Sequence, residues 1–204
     1  MDKLATLQLA DGTTWGIAAE NGSATVIFTR FGKAMQLGMD GNPHRRLLIS
    51  VQEGKPHWTV LPTITIDNRI ARCFVNHASN PDMLAIQLMR VAFVISLDAE
   101  DRGGILLHGA LAELNGQGVI LAGPGGAGKT RASQRLQSPW RSLCDDATLI
   151  VRGEDGTYYA HPWPTWSQFM FGGLGGSWDV QHAVPLTGIF FLAQAQEDSL
   201  DPLG

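Results

Sequence analysis

Cysteine is nearly missing from this chain: its 204 residues include two, Cys73 and Cys144. Two thiols are too few for a disulfide scaffold, and neither stands at metal-ligand spacing from a partner. A reducing, cytoplasmic setting is expected. Charge is also scarce. Charged residues make up 17%, and the net charge is −4 with a pI near 5.8. Without a basic surplus, non-specific binding of nucleic acid or of an anionic membrane is not expected, because both need a positive surface. Lysine occurs four times, and no Asn-Lys-x-Asp guanine signature is built from any of them. Long apolar runs are absent too. The most apolar stretch, Met83–Leu97, is interrupted by Gln87 and Arg90 and is short for a membrane span, so it reads as a buried helix. Met1–Thr6 lacks the basic-then-apolar order of a signal peptide, so none is expected. No internal repeat or low-complexity tract occurs.

Hydrophobic residues, at 44%, are enough for a core. Residues 1–78 read as β-rich. Leu7–Ala10 and Thr13–Ile17 flank an Asp11-Gly12 turn. Asn21-Gly22 reads as a second turn before a strand at Ala24–Phe28, with further strands at Leu47–Val51 and Thr63–Ile66. His44, His57 and His77 are scattered there as surface or strand-end residues. Asn80-Pro81 opens a helix to about Ala99, because Asn caps and Pro fits the first turn. Ile105–Leu114 reads as one strand and Asn115-Gly116 as a hairpin turn back into Val119–Ala122. A short helix over Lys129–Leu136 stops at Ser138-Pro139. A strand at Arg141–Cys144 ends at Asp145-Asp146. Thr148–Arg152 and Thr157–Ala160 form a hairpin, His161–Trp166 reads as a Pro/Trp-rich loop, Gly172–Gly176 as flexible, and Thr187–Leu192 as a last strand. The expected division is 1–78, a β-rich region, and 79–204, a nucleotide-binding domain.

The chemistry centres on Gly123-Pro124-Gly125-Gly126-Ala127-Gly128-Lys129-Thr130, which fits G-x-x-x-x-G-K-[ST]. Glycines let the backbone turn so that successive N–H groups point at phosphate oxygens. Lys129 would reach the β- and γ-phosphates of ATP, and the Thr130 hydroxyl would ligate Mg²⁺. The pattern arises by chance in about one chain in 100 of this length. Here an apolar strand leads in and a helix leads out, which sharpens it. The alternative is a glycine-rich turn with a surface lysine.

Asp145-Asp146 closes a strand soon after this loop. One carboxylate could hold Mg²⁺ and the other accept the proton of an incoming hydroxyl, although an Asp-Asp turn is common in itself. His108 stands in the apolar run Leu106-Leu107-His108-Gly109-Ala110, where a satisfied strand histidine is the plainer reading.

Taken in order, Leu107-His108-Gly109, Gly118–Leu121 leading into the loop, and Leu143-Cys144-Asp145-Asp146 resemble the catalytic core of HPr kinase/phosphorylase. The resemblance covers residues 103–152. It implies an α/β fold of the phosphoenolpyruvate carboxykinase/HPr kinase-like P-loop type, preceded here by the β-rich region. Residues 102–111, Pro139-Trp140 and His161–Ser167 are also similar to small kinase-like proteins of peptide-modification cassettes, among them the ScmC type of SynChlorMet cassette protein and the related lasso-peptide kinases. By this resemblance Asp145 matches the catalytic base, Asp146 its partner near the metal, and His108 the active-site histidine. Lys129 and Thr130 serve ATP and Mg²⁺. The family's Glu and Arg of a later motif fall on Met170 and Gly172, which puts a second metal and a phosphorylase reaction in doubt. The chain stops just after an apolar strand where relatives continue into helices, so a shortened form is expected, and a homo-oligomer is left open. The expected activity is phosphoryl transfer from ATP to a Ser or Thr hydroxyl of a peptide or protein substrate. The alternative is a non-catalytic ATP-binding scaffold.

Overall fold

Asp11 turns the chain as its type suggests: its carboxylate accepts the Thr13 amide at 2.9 Å, and Gly12 takes a φ of 82°. The turn joins two antiparallel strands, β1 (Ala5–Gln8) and β2 (Thr14–Ala19). The computed structural model describes residues 4–39, 41–52, 63–67, 69–77, 80–166, 176–196 and 199–202.

Ala24–Phe28 is not the strand expected. A 3-10 turn (Gly22–Ala24) runs into a helix, α1 (Thr25–Ala34). Asn21 caps the 3-10 turn, its side-chain oxygen accepting the Ala24 amide at 3.0 Å. The run Val26-Ile27-Phe28 looks like strand because such residues favour sheets. Yet Ile27, Phe28, Phe31 and Ala34 are the buried positions, and Val26 is 61% exposed. That spacing has the helical period, and burial of one face decided the outcome.

α1 carries the chain from β2 to a parallel neighbour, β3 (Arg45–Gln52). β4 (Thr63–Asp67) and β5 (Ile70–Asn76) complete a sheet of order β1-β2-β3-β5-β4. The sequence reading missed β5. Its alternate residues Ala71, Cys73 and Val75 are buried, as one covered sheet face requires. Burial lifts the Cys73 thiol to about 12, against a smaller opposing pull from Arg90, and raises the Cys144 thiol as well. Both are free cysteines and buried.

The expected helix is present as α2 (Pro81–Glu100), with the Asn80 side chain accepting the Met83 amide at 2.9 Å. It touches α1, β5 and the first strand of the second sheet, which explains apolar residues on most of its faces. Arg102 ties its C-terminal end to the β1–β2 turn by donating to Asp11 at 3.0 Å and 3.1 Å. Asp98 pairs with both Arg102 and Arg45. Among the described residues no helix is long and apolar enough to cross a membrane.

The second sheet takes β6 (Ile105–Leu107), β7 (Gly109–Leu114), β8 (Gln117–Ala122), β9 (Arg141–Cys144), β10 (Ala147–Arg152), β11 (Tyr158–Trp163) and β12 (Val184–Phe191), with α3 (Lys129–Arg135) outside it. Asn115 and Gly116 both have positive φ, 51° and 78°, and close the β7–β8 hairpin as read. Two expectations change. Residues 105–114 are not one strand, since the ladder breaks at His108. The segment read as a loop from His161 is strand through Trp163, where Pro162 lies beyond the last residue paired with β12.

The order is β6-β10-β11-β12-β8-β7-β9. Its two end strands continue β7 and β10, so the sheet closes on itself. Leu107 faces Thr148, and four residues on Leu111 faces Cys144, four residues back. This is one antiparallel register, opened over residues 108–110 and 145–147. Ala110, Leu111, Ile120, Leu149, Ala160 and Trp163 are among the buried residues of this unit. In sum the protein is mixed α/β, with two sheets and three α-helices among the described residues.

Candidate functional site

Strand direction brings the predicted residues to one end of the closed sheet. β8 and β9 both run antiparallel to β7, which lies between them, so they point the same way. β12 runs parallel to β8. Ala122 faces Gly109 on one side and Phe191 on the other. The glycine-rich loop follows Ala122, His108 precedes Gly109, and Asp145-Asp146 follows Cys144. With strands about 4.8 Å apart, the roots of the loop and of the acid pair lie roughly 10 Å from each other.

The loop itself needs glycine. Gly123, Gly126 and Gly128 have φ of 152°, 82° and 100°. A Cβ on Gly123 would meet the Ala127 Cβ and the Leu192 carbonyl oxygen, each at 3.1 Å. On Gly125, Gly126 or Gly128 it would meet nothing within 4 Å. The Pro124 carbonyl accepts the Ala127 amide at 3.1 Å. Lys129 opens α3 and is 6% exposed. Its Nζ donates to the carbonyls of Gly123 at 2.9 Å and Pro124 at 3.2 Å, which leaves one N–H for a ligand. Thr130 is exposed. Gln194, just past β12, braces the loop by donating to the Gly126 carbonyl at 3.0 Å.

Asp145 and Asp146 occupy the bend between β9 and β10. Asp145 accepts the Thr165 hydroxyl at 3.2 Å. Asp146 lies 3.3 Å from Nδ1 of His108. His108 therefore partners Asp146, and it is no core strand residue, with a side chain 55% exposed. Two buried contacts hold the bend open. Thr148, fully buried, donates to the Gly109 carbonyl at 2.9 Å, and the Cys144 thiol to the Ala147 carbonyl at 2.9 Å. Thr148, Thr165 and Gln194 were missed from the sequence. Each is a common residue type outside any spaced pattern, and only the fold brings it to the site.

His161 is structural. It is fully buried. Nε2 faces the Ala10 amide at 3.1 Å, so it must accept, and Nδ1 then donates to the Val180 carbonyl at 2.7 Å. This neutral ring ties the β1–β2 turn to the second sheet. Burial lowers its pKa, outweighing the Val180 carbonyl and the Asp11 charge, which favour the cation. Below about pH 6.5 the unfolded histidine takes a proton that the folded one refuses. Stability is therefore expected to fall with pH from that point, by up to about 1.4 kcal/mol per unit, and to level off below the folded pKa. Urea unfolding of the wild type and of His161→Gln between pH 7.5 and pH 5 checks this, because the variant, though less stable, should lose that part of the slope.

His44 pairs with Thr14 at 2.7 Å, and His57 lies outside the described residues. Among the described residues no group of three His, Cys, Asp or Glu is placed to hold a metal. Met170 and Gly172, and most of the stretch read as flexible, lie outside the described residues. A hard cation would instead draw on oxygens, and Thr130 with the acid pair offers them at the same sheet end.

The family model of the SynChlorMet cassette protein ScmC matches residues 71–204, more than half of the chain. No curated protein matches it.

Proposed function

This chain belongs to the ScmC family of SynChlorMet cassette proteins, and from that premise and the shape of its glycine loop we propose that it is an ATP-dependent kinase. It would transfer the γ-phosphoryl group to a hydroxyl, of Ser or Thr type, on a peptide or protein in a peptide-modification pathway. The core would be a P-loop of the phosphoenolpyruvate carboxykinase/HPr kinase-like kind. One observation carries this reading: a glycine loop with three positive-φ turns and a buried lysine emerges together with a carboxylate pair at one end of a closed sheet.

The loop amides would bind the phosphate oxygens, and Lys129 would turn its remaining N–H toward them. Thr130 and Asp146 would hold Mg²⁺, which when bound neutralises charge between the phosphates. Asp145 would accept the proton of the incoming hydroxyl. His108, beside Asp146, would orient that carboxylate. A non-catalytic ATP-binding scaffold is the second reading, favoured by Met170 and Gly172 at the positions of the Glu and Arg of the HPr kinases. Incubation with Mg-ATP and a Ser- and Thr-containing precursor peptide of a peptide-modification cassette is expected to give a phosphate mass shift on the peptide. ATP binding with no shift on any peptide would leave the scaffold reading in place.

A further inference from the structure

Thr165 is 7% exposed and its hydroxyl, 3.2 Å from Asp145 Oδ1, is its one donor. The chain continues directly into Trp166, whose ring stacks on Phe31 of α1 with centroids 6.0 Å apart and planes 13° apart. Phe31 is fully buried in the helix that covers the first sheet. A second tie lies close by, where the Trp178 amide donates to the Ala34 carbonyl at 2.7 Å and the Gln36 side chain donates to the Ser177 hydroxyl at 3.2 Å. Trp166 and Trp178 thus each contact the C-terminal half of α1, and Ser177 contacts Gln36 just beyond it. Asp145, by contrast, sits in a bend where the β-ladder is open on both sides, so backbone pairing does not fix its side chain.

We propose that Thr165 is the positioning residue of Asp145, and that α1 of the first sheet, through the Phe31–Trp166 stack, sets where Thr165 stands. A carboxylate that receives one hydroxyl on Oδ1 keeps its rotamer and directs Oδ2 outward, where an acceptor hydroxyl could deliver its proton. This gives the N-terminal region a task in the reaction: it is the frame against which the base is aimed. The inference rests on the kinase reading above.

The test compares wild type, Thr165→Val, Thr165→Ser, Asp145→Asn and the double variant Thr165→Val/Asp145→Asn in single-turnover transfer from ATP to the peptide. ATP affinity is measured alongside. Thr165→Val is expected to lower the transfer rate about tenfold, the scale of one hydrogen bond to a charged group. Its KM for ATP should not change, and Thr165→Ser should restore the rate. Added to Asp145→Asn, it should cost nothing further, because both act through one group. Trp166→Leu should reproduce the kcat loss with the melting transition still cooperative. If Thr165→Val transfers at the wild-type rate, or lowers the rate equally in the Asp145→Asn background, the positioning role is overturned and the kinase reading stands. If the wild type binds ATP and phosphorylates nothing, the kinase reading fails and this inference falls with it.

Discussion

Replacing Lys129 by alanine is expected to weaken Mg-ATP binding at least about a hundredfold, roughly 2.7 kcal/mol. A calorimetric titration of each protein with ATP in excess Mg²⁺ measures it. Lys129 is buried against the glycine loop, where a charge interacts more strongly than in water. It also bonds the Gly123 and Pro124 carbonyls, so its removal strips the loop of two internal contacts. Stability should therefore fall as well, by about 1–3 kcal/mol. Lys129→Arg separates the two roles. It keeps the charge, but a planar guanidinium cannot place one N–H on a phosphate while donating to both carbonyls. Affinity should drop with less loss of stability. An alanine variant that binds Mg-ATP as tightly as wild type would mean that the loop does not hold phosphate, whatever its glycines suggest.

Much of the second sheet could be read in advance because its signals are local. Asn115-Gly116 dictates a tight turn, glycines at 123, 126 and 128 mark positive φ, and Asn80-Pro81 caps a helix. What failed was decided by distant packing. Val26-Ile27-Phe28 has strand composition, yet α1 forms there because Ile27, Phe28 and Phe31 share one helical face against the core. β5 was missed because apolar Ile70 and Phe74 on its other face blur the alternation of Ala71, Cys73 and Val75. His161 stood next to two prolines and looked like a loop residue, and its two backbone partners are 151 and 19 residues away. The site followed the same rule. The loop, His108 and the two aspartates were legible as residue types in order. Their pairing was not, since it follows from a ladder that opens at the same rows on both strands.

That opening separates the two aspartates and allows them to be tested one at a time. Asp145→Asn is expected to bind Mg-ATP within about threefold of wild type while transferring phosphate about a thousandfold more slowly, within the range for losing a general base. The substitution is nearly isosteric. The amide oxygen can still accept the Thr165 hydroxyl, so the bend and the nearby loop should keep their geometry. What the amide cannot do is take up a proton. Asp146→Asn should behave differently. It removes the negative charge beside His108 and weakens the hold on Mg²⁺, so the Mg²⁺ concentration needed for ATP binding should rise. Stopped-flow transfer assays and Mg²⁺ titrations of both variants give the comparison. If Asp145→Asn were to transfer at the wild-type rate, the proton acceptor would have to be sought in the neighbouring Asp146–His108 pair. That pair is already in contact and emerges from the same break in the sheet, so the cradle and its lysine would keep their assigned roles while the base changed.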